Sequence, residues 1–428
     1  MSSSRRLLAL LIVATAGLTA CGRYAPAPTA AAGYRLFLEE GYNGAQQVTV
    51  LDSGGAVERR LPIGTPAPDW SRYYTVSSLG ASARLTALDP ASGKVLGEAT
   101  IPAGYQLPSL GFQGPTAGLS PNGQWLVLSR QSGSTSSFLV GATSFQSPSP
   151  LWGGPGRGSA FRTVQLKGDF SFDAVSSDGQ NLYLIQKMGD PNHYQVRLYN
   201  VPSQSLAAQP VADKREPAEP MNGIRGDSIA DPRGSYVFTV YARDAGPFIH
   251  ALPLGQPLAW CLDLPAKNAR DMEEQFHWSL ALNQDGSELY AVNGSSGLIA
   301  EMSPDRLPQL DRTGQVALNA SPELLGGLVT SADAKGARIG GAALSPDGRT
   351  LFALGNTGIV AIDTATLKVR SRILDGESIE SIRLSTDGHW LYAASGEKLW
   401  QINPATGAIA GQIKGSSNPW ALFWAAPK

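Results

Sequence analysis

The densest group of side chains able to do chemistry is Arg270, Asp271, Glu273, Glu274 and His277, gathered in one short stretch. Carboxylates next to an imidazole can hold a divalent cation or act as general acid and base. The same residues also describe a solvated acidic loop. A second candidate is Arg225 with Asp227, at the start of a strand. With Gly226 and Ser228 they spell an integrin-type tetrapeptide, which a strand setting would make a coincidence. Motifs of the commoner enzymes are missing. The four histidines, His193, His250, His277 and His389, have no His-x-x-x-His spacing. No Gly-x-Ser-x-Gly elbow occurs, and GGPGRG (153–158) lacks the Lys-Ser/Thr of a phosphate loop. No catalytic set and no metal-ligand set can be named on this basis, although a divalent cation remains one candidate ligand. No organic cofactor is predicted.

Those residues must be positioned by many short elements. The chain has 428 residues, with 48 Gly, 30 Pro, 16% charged residues and a formal charge of −1. Glycine and proline exceed their usual shares of about 7% and about 5%, and charge falls below the usual ~25%. This composition suits tight turns and short strands, not long helices. The near-neutral balance gives no electrostatic basis for binding nucleic acid. With 42% apolar residues the chain can bury a large core.

The first twenty residues read as a targeting segment. Arg5 and Arg6 precede the apolar run LLALLIVATAGL (7–18), which is shorter than the roughly 20 residues of a membrane span. Leu18-Thr19-Ala20-Cys21 resembles the lipobox of bacterial lipoproteins. The resemblance implies cleavage before Cys21, palmitate and further acyl chains on that residue, and firm membrane anchoring, since several chains hold where one is marginal. It also implies an extracytoplasmic location, on the periplasmic face of an outer membrane or at the cell surface. Residues 21–33, rich in Pro and Ala, read as the tether. Cys261 is the only other cysteine, so acylation of Cys21 leaves no intrachain disulfide. Its apolar surroundings suggest a buried small side chain and not a nucleophile.

Residues 34–428 are governed by a repeat. AGLSPNGQWLVLS (117–129), DAVSSDGQNLYLI (173–185), SIADPRGSYVFTV (228–240), LALNQDGSELYAV (280–292), AALSPDGRTLFAL (342–354) and IRLSTDGHWLYAA (382–394) share one pattern. Each reads as a strand, a corner ending in Gly, and a second, half-buried strand such as LYAV or LFAL. In APDWSRYYTVS, Trp70 stands where the glycine should fall. A third strand and an Asp/Asn-to-Gly turn into a fourth follow in most units, as in LWQINPATGAI (399–409). Four antiparallel strands per unit of about 50 residues is the blade of a β-propeller. The unit LSPDGRTLFALGNTGIVAIDTATLKVRSRI resembles the YVTN-type propeller repeats, which YAVN (290–293) echoes.

The expected fold is therefore all-β, a propeller closed by pairing of its N- and C-terminal strands. NPWALFWAAP (418–427) supplies an innermost strand for YRLFLEE, QVTVLD and VERRLP (34–62). Closure of this kind removes open sheet edges. Hairpins count eight blades and corner motifs count seven, according to whether GTPAPDW is a degenerate first strand.

The corners line one face, and inter-blade loops open on the other, around the axial channel. Loops 102–115, 213–225, 265–276 and 321–338 are long, and function concentrates on such loops. Arg225 and Asp227 would face the channel. Two functional readings follow. The first is a monomeric, membrane-tethered scaffold that binds envelope proteins or ligands. The second is an enzyme of the lactonase or quinoprotein-dehydrogenase type, which the propeller resemblance also allows. A lactonase would hold a cation through Glu273, Glu274 and His277.

Overall fold

Leu351, Phe352, Ala353 and Leu354 are all buried, as are Leu289 to Val292 and Leu391 to Ala394. These second strands are covered on both faces, not half-buried as their sequences suggested. The reason is their setting: each sheet is sandwiched between two others, so inward and outward positions alike meet apolar neighbours. The computed structural model describes residues 33–40, 46–109, 117–145, 161–189, 193–215, 221–318, 341–415 and 419–428. The predicted targeting segment 1–20, Cys21, tether residues 22–32 and loop 321–338 lie outside them. So do GGPGRG (153–158) and parts of loops 102–115 and 213–225.

Eight antiparallel sheets follow one another around a ring. Blade I pairs Tyr34–Glu40, Gln47–Asp52 and Val57–Pro62 with the C-terminal strand Pro419–Pro427, which takes the innermost place. Blade II starts from the short inner strand Thr65–Pro66, so the degenerate unit is a real blade and the count is eight. Blade III contributes its inner segment through the Leu119–Leu126 bridge. The inner strands of the remaining blades are Phe170–Val175 (IV), Ile224–Ala230 (V), Trp278–Leu282 (VI), Ala342–Leu344 (VII) and Ser381–Leu384 (VIII).

The core is divided among the seams. Eight apolar clusters each join two adjacent blades, from Trp125 and Phe172 between III and IV to Tyr392 and Leu38 between VIII and I. At the corners of blades IV, VII and VIII, the Ser-x-Asp-Gly sequence is a hydrogen-bonded unit. Ser176 Oγ donates to Asp178 Oδ1 at 2.5 Å and accepts from the Asn181 nitrogen at 2.9 Å. Gly179 has φ +72°, and a Cβ there would lie 2.3 Å from the Trp125 ring of the preceding blade. Both the left-handed backbone and the close packing demand glycine.

Ring closure brings the chain ends together. The backbone nitrogen of Lys428 donates to the Gly33 carbonyl at 2.6 Å, and Tyr34 Oη donates to Asp387 Oδ2 at 2.6 Å. Asp387 belongs to the blade VIII corner, so both described ends lie on the corner face. The described inter-blade connection 265–276 opens on the opposite face.

Candidate ligand-binding site in the axial channel

Three inner strands depart from regular pairing, and in two of them the departure re-aims a carboxylate. In blade IV the register slips between Phe172 and Ala174, leaving Asp173 as the extra residue. In blade V, Arg225 faces Tyr241 and Ser228 faces Thr239, so Gly226 and Asp227 share a slot meant for one. Bulges of this sort turn a side chain away from its regular direction.

Asp173 and Arg225 then meet. Arg225 Nη1 donates to Asp173 Oδ1 at 2.6 Å, and the side chains are 8% and 6% exposed. Arg225 Nη2 also donates to Ser228 Oγ at 3.2 Å. The pair is neutral overall and shielded from water, and its charge-assisted hydrogen bond offsets part of the cost of burial. A cavity of about 180 Å³ lies beside it, walled by Leu119, Phe172, Ala174 and Val237. Nearby, burial pushes His250 down to about 4, so its imidazole is neutral at physiological pH.

Asp227 has a different role from Arg225. Its Oδ1 accepts from the Ser228 nitrogen at 2.9 Å, and its Oδ2 accepts from the Leu280 nitrogen at 2.8 Å. One carboxylate thus straps the inner strand of blade V to that of blade VI. Burial raises its pKa above the ordinary aspartate value, opposed by the two backbone N–H groups and by the Arg383 charge. Arg383, on the inner strand of blade VIII, is the unforeseen member of the site. Burial holds its pKa below the ordinary value, with Asp227 the opposing charge. Both residues nevertheless keep part of their surface open to solvent. Both stand on inner strands, which surround the axis of the ring.

The loop candidates are arranged otherwise. Asp271 caps the short helix Met272–Gln275, accepting from the Glu274 nitrogen at 3.1 Å. Buried Gln275 ties this turn to Arg243 and Ala269. Arg270 and Glu273 are exposed, Glu274 half-buried and His277 buried. Among the described residues, no group of three or more His, Cys, Asp or Glu side chains could hold a metal ion. The structure therefore brings Arg225 to Asp173, but does not gather Glu273, Glu274 and His277 about one point. Cys261 is half-buried, and its backbone nitrogen donates to Asp213 Oδ2 at 2.9 Å.

No family model matches the chain, and no curated protein does. Solved structures do. Apo AztD from Citrobacter koseri is 12% identical, with a TM-score of 0.50 over 92% of this chain and 98% of that one. The dihydro-heme d1 dehydrogenase NirN, in complex with DHE, is 14% identical, with a TM-score of 0.53 over 94% and 78%. At such identities the likeness concerns the propeller fold alone.

Proposed function

We propose that the protein is an extracytoplasmic binding module, held to a bacterial membrane by acyl chains on Cys21, which receives a ligand or a partner's loop in its axial channel. The observation that carries this reading is the pair Asp227 and Arg383. Opposite charges stand on the inner strands of two non-adjacent blades, each half-buried. A rigid ring with a charged axis and a tether suits binding better than turnover. The absence of a converging metal-donor set among the described residues weighs against the cation-dependent lactonase reading.

Other parts of the reading have their own support. The sequence of residues 1–21 supports the lipid anchor, and the corner motifs support kinship with YVTN-type repeats. The described chain begins at Gly33 on the corner face, beside Lys428. A tether leaving there would turn that face toward the membrane and the loop face away from it. The closed ring, whose first and last strands pair with each other, supports a monomer.

The test is affinity capture of the tagged full chain from gently solubilised membranes, with Cys21→Ala as control. The reading expects membrane association and a stoichiometric envelope component with the wild type, and a soluble protein without it for the variant. Equal membrane association of both proteins would overturn the anchor. A wild type with neither protein partner nor small molecule bound would overturn the binding role.

A further inference from the structure

The ion pair of Asp173 and Arg225 is joined by a single bond. Arg225 Nη1 donates to Asp173 Oδ1 at 2.6 Å, and Nη2 donates to the Ser228 and Thr239 hydroxyls at 3.2 and 3.4 Å. Arg225 Nε is buried with no hydrogen-bond partner among the described residues. Asp173 Oδ2 accepts no hydrogen bond among them either. A two-bond pairing of guanidinium and carboxylate would have used both oxygens. This one leaves a donor and an acceptor over, and a buried donor left unmet is costly.

Both side chains are more than nine-tenths buried, and both line the cavity of about 180 Å³. It is set among the inner strands of blades II to V, with Thr65, Leu119, Phe172 and Ala230 in its wall. At roughly 30 Å³ each, about six waters would fill it, or one organic molecule of equal bulk. Asp173 and Arg225 are the only charged side chains in that wall, and their charges cancel.

We propose that this cavity binds a small uncharged carboxamide. Its carbonyl oxygen accepts from Arg225 Nε, its N–H donates to Asp173 Oδ2, and its short hydrocarbon end lies against Leu119, Phe172 and Val237. This rests on the reading of the channel as a binding site. The cancelled charges select the class. An anion would give up its water to an arginine that is already neutralised, and a cation to an aspartate in the same condition. A carboxamide brings no charge and carries one acceptor and one donor on neighbouring atoms.

The experiment is saturation-transfer NMR titration of the full chain in detergent, with detergent alone as blank. The probes are isobutyramide, its isomer N,N-dimethylacetamide, which has no N–H, and the charged analogues isobutyrate and isobutylammonium. The inference expects isobutyramide to bind tenfold or more tightly than the other three. Ala230 is exposed at the edge of the cavity, so Ala230→Leu should fill the space and weaken binding at least tenfold at an unchanged melting temperature. The double exchange Asp173→Leu with Arg225→Met removes both polar groups without stranding a charge. It should abolish binding, and it serves if Ala230→Leu does not fold. Either charged analogue binding as tightly as isobutyramide would overturn the inference. So would binding unaffected by these variants, or none at millimolar concentration, which would leave a cavity holding water only. If the amide fails while an envelope component is still captured from membranes, the ligand class falls and the binding role stands.

Discussion

Asp227 Oδ2 and the backbone nitrogen of Leu280 lie 2.8 Å apart across the seam between blades V and VI. A comparable strap joins blade VIII to blade I, where Ser381 Oγ accepts from the Leu422 nitrogen at 2.9 Å. Inner strands in a propeller do not pair with one another, so their side chains must supply such links. The same Asp227 that holds the ring also charges its axis.

Removing the strap should loosen the ring. Asp227→Ala leaves the Leu280 and Ser228 nitrogens without their acceptor, and each unmet buried group costs about 1–3 kcal/mol. Asp227→Asn keeps an acceptor for one of them and should lose less. Denaturant unfolding of the two variants checks the order; equal stability of Asp227→Ala and the wild type would contradict it.

The closure bond makes a second prediction. Burial and the Asp387 carboxylate push Tyr34 up to about 12, while Asp387 is lowered to about 2. Burial opposes that lowering; hydrogen bonds from Ser385 and Tyr34 produce it. A depressed carboxyl pKa confers stability above the unfolded value of 3.8 that is lost as pH falls through about 2. Tyr34→Phe should cost about 1 kcal/mol at pH 7 and have a smaller effect at pH 2. Thermal unfolding at the two pH values measures the difference.

Glu39 titrates in the opposite sense. It is 4% exposed, and burial pushes its carboxyl up to about 7 from 4.5. A raised pKa means that the stability this group permits is complete below about 4.5 and is lost as pH rises through about 7. The loss is on the order of 3 kcal/mol once the carboxylate is forced to ionise inside the fold. Glu39→Gln should therefore be more stable than the wild type at pH 8.5 and similar at pH 4.5. A pH-independent difference between the two would refute this assignment.

Corner glycines should differ in how well they tolerate a larger residue. Gly179→Ala imposes a Cβ on a left-handed backbone and drives it to 2.3 Å from Trp125. Gly348 has a similar φ of +69°, but a Cβ there meets nothing within 4 Å. Gly348→Ala should cost about 1 kcal/mol from backbone strain, and Gly179→Ala several times more. Comparable melting temperatures for the two variants would show that backbone strain, and not packing between blades, sets the demand for glycine at Gly179.

The propeller was legible because most blades repeat a similar local chemistry. Ser-x-Asp-Gly fixes a corner through its own hydrogen bonds, and that information is entirely local. Closure was legible from LFLEE and ALFWAA, each lacking the partner that the other supplies. The blade count was not, because Thr65–Pro66 is too short to show a strand pattern. The axial site was legible only in half. Arg225 and Asp227 stood out as charges in an inner strand, and Arg383 in IRLS occupies the same kind of place without having been singled out. Comparing that run with AALS and LALN, where apolar residues stand, carries the signal. Asp173 was hidden because its orientation depends on a bulge, which pairing creates and spacing does not announce. The carboxylates near His277 are close in sequence, but a helical turn with its own cap separates their directions.

The most direct test of the account is native mass spectrometry of the full chain, gently extracted from the membranes in which it was made. The account predicts acyl chains on Cys21 and a bound small molecule that leaves on denaturation, absent from folded, equally acylated Ala230→Leu. A ligand-free wild type, or the same molecule retained by Ala230→Leu, would contradict a binding site at the axis.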